Sequence, residues 1–265
     1  MMMIRSACFS KKLLHHFNIL MTTAKLIRLG FLIPPGNPNS EPEIMHMQHP
    51  DVSLHFTRMV ARGVTGSLDG QEARNQSQID HLPDCIELLS LVKPSVIALT
   101  HTATSYTLGK EKEEALIERM EQEFQIRLIT AFGSVVKALH QIGAQKIAFG
   151  TPYNENSTLQ CKKLLEAYGF EVVQYGRLND VQNIYDETSK RALSLAHQVN
   201  HPQAQAIFLS GVGMPTIDIL TQAENETNKP VISSIAATMW QALNISGIKS
   251  GVNHFGSLLE RKYDH

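Results

Sequence analysis

Cysteine is scarce: the 265 residues hold three, Cys8, Cys85 and Cys161, widely spaced and without a CxxC pair. An odd number so placed excludes a disulfide framework and fits a reducing compartment, so a cytoplasmic protein is expected. Metal-ligand patterns are missing too. Twelve histidines include the pair His15 and His16, yet no HExxH or HxH occurs and no bound metal is expected. No apolar run approaches the ~20 residues that a membrane helix needs, so no spanning segment is expected. An excess of either charge is also lacking. The net charge is −1 and the pI about 6.9, with lysine and arginine scattered, so the basic stripe of a nucleic-acid binder is absent. What remains is a chain long enough for one large domain or two lobes of roughly 110–130 residues.

Residues 1–24, MMMIRSACFSKKLLHHFNILMTTA, are basic and contain no acid. Three readings stay open: a true start near Met21, a loose extension, or an organellar transit peptide. Each leaves the segment outside the fold.

From Lys25 onward, short β-branched runs alternate with longer segments of helical period, the pattern of βα units and a mainly parallel sheet. Strands are expected at Ile27–Ile33, Val96–Thr100, Lys146–Gly150, Ala206–Ser210 and Pro230–Ser233, with shorter ones at Ser53–Phe56, Arg127–Ile129 and Glu171–Gln174. Helices are expected at Asp84–Leu91, Lys110–Glu123, Val135–Ile142, Ser157–Tyr168, Tyr185–Val199, Thr216–Glu226 and Ala236–Ser246. Gly143 and Gly169 stand where helices would end.

An internal repeat carries more information. FLI followed by PPGN (Pro34–Asn37) is echoed by IAFG followed by TPYN (Thr151–Asn154); IALT followed by HTATS (His101–Ser105) is echoed by IFLS followed by GVGMPT (Gly211–Thr216). Asn37 to His101 is 64 residues and Asn154 to Gly211 is 57. Two pseudo-symmetric α/β lobes follow, with a first lobe of residues 25–125 plus 236–265 and a second of 126–235. Ligands of open α/β sheets bind outside the carboxyl ends of strands, which places a site in the cleft between the lobes. Backbone N–H groups there, with Asn37, Thr102, Thr104, Ser105, Tyr153 and Asn154, suit a carboxylate. The same residue types also serve as plain turn and cap residues. Glu41 and Glu43 read as helix N-terminal acids favoured by the dipole. Tyr106, Met214 and Trp240 read as packing residues, with Met214 also a candidate for the pocket wall.

The strings GFLIPPGNPNSEPE (Gly30–Glu43), ALTHTATSYTLG (Ala98–Gly109), IGAQKIAFGTPYNEN (Ile142–Asn156) and LSGVGMPTIDIL (Leu209–Leu220) resemble, in order and spacing, the aspartate/glutamate racemase superfamily, in its branch of arylmalonate decarboxylases and maleate cis–trans isomerases. The resemblance implies a two-lobed fold and a cofactor-free, metal-free lyase or isomerase acting on a small carboxylic or dicarboxylic acid through an enolate-like intermediate. Asn37 and Tyr153 match substrate-binding positions, and Thr102 and Tyr153, with backbone N–H groups near Ala103 and Val212, match an anion cradle. Both family cysteine positions are vacated, falling at His101 and Gly211. Two-cysteine racemisation and covalent isomerisation through a cysteine are therefore disfavoured. His101 can exchange a proton near neutral pH, or it can merely hydrogen-bond a carboxylate. A non-catalytic carboxylate-binding protein is the alternative. The partner expected is a small carboxylate, and the number of copies in any homo-oligomer is left open.

Overall fold

A computed structural model of the protein describes residues 26–264 apart from 63 and 65, so the segment 1–24 and Cys8 lie outside the described residues. Strands β1 (Ile27–Ile33), β2 (Val52–Arg58), β3 (Val96–Leu99) and β4 (Arg127–Thr130) form a parallel sheet in the order β2-β1-β3-β4. Strands β5 (Lys146–Thr151), β6 (Glu171–Arg177), β7 (Ala206–Leu209) and β8 (Val231–Ser233) form a second one, β6-β5-β7-β8. Adding four to each strand number converts one sheet into the other. All eight strands lie where the β-branched runs place them, with ends moved by a few residues. VIAL in β3 and AIFL in β7 are buried at every position, as strands covered by helices on both faces require.

The first sheet is connected through α1 (Ser40–His46), α2 (Gln71–Asp80), α3 (Leu82–Ser90), α4 (Thr102–Leu108) and α5 (Lys110–Phe124). Helix α6 (Ala131–Gln141) leads to the second sheet, whose crossovers are α7 (Glu155–Ala167), α8 (Ser189–Val199) and α9 (Leu220–Thr227). Helices α10 (Ser234–Ile245) and α11 (Gly256–Leu259) follow. The sequence pattern announces only the start of α1, through Glu41 and Glu43, and does not announce α2, α4 or α11. The loop expected after β3 is a helix from Thr102 onward, and the helix expected from Tyr185 starts at Ser189, where Thr188 accepts the Arg191 N–H.

Helices α6 and α10 are exchanged between the lobes. Helix α6 follows the first sheet, yet its Phe132 meets Phe208 of β7, with ring centroids 6.3 Å apart. Helix α10 follows the second sheet and packs on β3 and β4 of the first, as well as on α6. Each starts from an equivalent cap: Thr130 accepts the Gly133 N–H and Ser233 the Ala236 N–H. Strand β4 pairs with β3 from Val96↔Arg127 to Leu99↔Thr130. Residues 127–130 therefore belong to the first sheet, and the expected lobe boundary at 126 is corrected to follow Thr130. One large apolar core runs through both lobes around α6 and α10, and a smaller one fills the outer face of the first sheet beneath α3 and α5.

Candidate active site

Backbone register fixes which residues are equivalent at the strand ends. Thr100 N–H bonds to the Leu32 carbonyl and Ser210 N–H to the Gly150 carbonyl, so His101 and Gly211 occupy matching positions at the carboxyl ends of β3 and β7. They differ in what they offer. His101 is extended (φ −144°) and its carbonyl accepts the Thr104 hydroxyl. Its Nδ1 is buried without a hydrogen-bond partner among the described residues, as is the Oγ1 of neighbouring Thr102. Burial, and then the charge of Arg74, push the His101 imidazole down to about 4, so the ring is neutral at pH 7. Gly211 has φ +103°, and a Cβ there would sit 2.7 Å from Pro152 Cγ. Only glycine fits that backbone.

His101 lines a small cavity with Arg74, Asn75, Gln78, Ser67 and Tyr185. Arg74, Asn75 and Gln78 come from one face of α2, the i, i+1 and i+4 positions of a helix whose buried residues are all polar. Arg74 is 9% exposed. Its guanidinium donates to the carbonyls of Ser67 and Asp69 and forms no ion pair among the described residues. The Asp69 charge acts on it from nearby without forming an ion pair, and a buried cation whose hydrogen bonds go to neutral carbonyls is costly and suits an anion. Asn75 Nδ2 donates to the Ala103 carbonyl (3.2 Å) and to Thr107 Oγ1 (3.0 Å), tying α2 to the helix that begins beside His101. Gln78 Oε1 is buried and unpartnered. The Tyr185 ring covers Gly213, where a Cβ would lie 2.7 Å from it. The enclosed space is about 20 Å³, room for about one water, so these walls are closed on each other.

Of the expected site residues only His101 lines this cavity. Asn37 is 1% exposed; its Nδ2 donates to Ser40 Oγ and its Oδ1 accepts the Asn39 and Ser40 N–H groups. The Val212 carbonyl accepts the Ser40 hydroxyl (3.3 Å), and Asn39 Nδ2 donates to the carbonyls of Gly213 (2.8 Å) and Tyr185 (3.0 Å). The loop after β7 is thus docked on the loop after β1. Tyr153, Val212 and Met214 are buried inside that seam, with Tyr153 edge-on to Tyr106. Ala103 and Thr102 are buried at the start of α4. Asn154 caps α7 through the Ser157 N–H (2.9 Å) and lines an adjoining groove. Tyr106 packs as expected and also bonds Ser210 Oγ. Glu41 pairs with Arg58. Glu41 and Glu43 stand in the first turn of α1 as expected, and Glu43 has a further role: its Oε1 accepts the N–H groups of Thr216 (2.6 Å) and Ile217 (2.9 Å) in the opposite lobe. Burial pushes that carboxyl up to about 7, against the pull of the two bonds.

The two sheets, the matched strand ends and the exchanged helices describe a known architecture. A family model for arylmalonate decarboxylase matches residues 29–259. The chain belongs to the arylmalonate decarboxylase family. It is 25% identical over 257 residues to a maleate isomerase of Geobacillus stearothermophilus, covering 91% of this chain and 100% of the relative. It is 23% identical over 237 residues to the arylmalonate decarboxylase of Bordetella bronchiseptica, covering 86% and 93%. A variant of Nocardia farcinica maleate cis-trans isomerase, solved with a covalently bound succinylcysteine intermediate, shares the fold with a TM-score of 0.80 at 20% identity, covering 89% and 99%. This arylmalonate decarboxylase family member is therefore an α/β enzyme-family protein of that two-sheet fold. Neither described cysteine lines the cavity of this family member: Cys85 is on the buried face of α3, and Cys161 is fully buried in α7, where desolvation pushes its thiol up to about 12. No helix among its described residues is long and apolar enough to cross a membrane.

Proposed function

We propose that the protein is a cofactor-independent decarboxylase or isomerase of small carboxylic acids that works with one imidazole in place of thiols. The observation that carries this reading is Arg74, a buried and unpaired cation sharing a cavity with His101. A substrate carboxylate supplies the missing anion and a planar fork to match the guanidinium. Two causes hold the imidazole low: parting of the walls relieves the larger, burial, and the substrate charge offsets the smaller, Arg74, so His101 moves back toward its ordinary range, where it exchanges protons near pH 7. In decarboxylation, carbon dioxide departs with its bond pair left on the α-carbon; the imidazolium gives that carbon a proton and recovers one from water. In isomerisation the same nitrogen removes a proton from one end of an allylic system next to the carboxylate and returns it at the other end, so that the double bond migrates between the two. The unpartnered Thr102 hydroxyl is a donor for the oxygen that gains charge between the two steps. Access requires the cavity walls to part, since ligand pockets usually measure about 300–1,000 Å³.

His101→Asn tests the assignment. Asparagine keeps a hydrogen-bonding side chain of similar reach but cannot shuttle a proton. Across a panel of malonate, maleate and aspartate analogues, binding is expected to stay within a few-fold while turnover falls about 10²-fold or more. Turnover equal to wild type removes His101 from the chemistry.

A further inference from the structure

A groove of about 280 Å³ runs beside the closed cavity, between α2 of one lobe and the start of α7 of the other. Gln71 and Asn75, one turn apart on α2, line both spaces. Ser157 Oγ donates to Gln71 Oε1 (3.2 Å), closing the partition across the lobes. The chemistry on the two sides differs. Arg74 supplies a full positive charge to the cavity, whereas Thr107, Asn154, Asn156 and Gln160 present neutral hydroxyl and amide groups to the groove. Glu72 is the one ionisable side chain among the described residues that line it.

We infer that this groove is a second substrate subsite, built for an uncharged hydrogen-bonding group such as a carboxamide. The preferred substrate then carries one carboxylate on Arg74 and a neutral polar tail, in place of a second carboxylate. The inference rests on the carboxylate reading above. A second carboxylate in the groove would give up hydration and face Glu72 with no side-chain cation to pair, and the amino ends of α2 and α7 that border the groove offer it only the weaker attraction of a helix dipole. A carboxamide both donates and accepts, as do the side chains around it, and sites built to hydrogen-bond a group discriminate strongly against analogues that cannot pair. Turning Gln71 away from Ser157 joins the two spaces.

Calorimetric titration of the full chain with matched pairs, maleamate against maleate and malonamate against malonate, tests this. The half-amides are expected to bind roughly tenfold more tightly than the diacids, and Arg74→Gln to weaken both. Asn156→Lys places a cation at the exposed rim of the groove and is expected to shift preference toward the diacids by about tenfold. Diacids bound as well as or better than half-amides, or a preference unmoved by Asn156→Lys, overturn the subsite; if both ligands still depend on Arg74, the carboxylate reading stands. If no member of the panel binds in an Arg74-dependent way, both fall.

Discussion

Replacing Arg74 by glutamine removes the proposed anion partner while leaving a side chain that can still donate to a carbonyl. In the native protein two guanidinium N–H groups go to the Ser67 and Asp69 carbonyls, leaving three of five donors and the whole charge for a ligand. Removing one member of a buried, hydrogen-bonded charge pair costs about 3–5 kcal/mol, or roughly 10²- to more than 10³-fold in affinity. Since the walls must open to admit a ligand, some solvent screening remains and the lower end applies. Malonate and maleate are therefore expected to bind about a hundredfold more weakly to Arg74→Gln. Arg74→Lys keeps the charge but loses the fork, and a loss of about tenfold is expected. The free protein should respond differently. A buried cation without an anion is itself unfavourable, which offsets the two lost bonds, and the melting temperature is expected to move by a few degrees at most. Calorimetric titration at two ionic strengths, alongside thermal melts, provides the comparison. Unchanged affinity in Arg74→Gln, with the salt dependence of wild type, would refute the anion site.

Two further predictions concern the seam between the lobes. The Glu43 carboxyl, raised from 4.5 to about 7 in the folded state, contributes stability that is full below pH 4.5 and is lost as pH rises through 7. Glu43→Gln keeps an acceptor for the Thr216 and Ile217 N–H groups without the charge. It should match wild type near pH 5 and exceed it at pH 8 by up to about 3 kcal/mol, as read by denaturant unfolding. His101, lowered from 6.5 to about 4, acts in the opposite sense as pH falls but is common to both proteins, so parallel pH profiles above pH 5 would count against the assignment. Gly211→Cys places a thiol where the family resemblance expects a cysteine, yet forces a side chain onto φ +103° and into Pro152. A stability loss of about 1–3 kcal/mol is expected, with no iodoacetamide-sensitive turnover of maleate. Gain of such turnover would show that the loop readily accepts the thiol geometry.

The sheets were legible because their central strands are short, wholly apolar runs such as VIAL and AIFL, separated by longer segments of helical period. The repeat placed His101 and Gly211 correctly as counterparts, and Asn37 and Asn154 share a capping role. The decisive residues of the site were not legible. Arg74, Asn75 and Gln78 sit on QEARNQSQID, where too few apolar residues set a helical period, so nothing marked that face as buried. The useful signal would have been the reverse pattern, amides and an arginine recurring at i, i+1 and i+4 with no charge partner alongside. Glu43 was read rightly as a first-turn acid, but its bridging role was missed because it depends on a loop about 170 residues away, a distance over which local pattern carries no information. The lobe boundary was misplaced for a related reason: strand pairing, not chain order, assigns residues 127–130.

The exchange of α6 and α10 also sets a timetable for biosynthesis. The face of β3 and β4 that α10 covers is complete at Thr130, but Ser234, where α10 starts, follows 104 residues later. At about 5–20 residues per second of translation, that apolar face waits roughly 5–20 s for its cover. A nascent first half is therefore a natural client for holding chaperones, and a chain halted before Ser234 carries an open sheet rather than a finished lobe. Such a fragment is expected to aggregate when expressed alone. The dependence is one-sided: the second sheet follows directly on its own cover, α6, whereas the first sheet is roofed by a helix encoded after the other half ends.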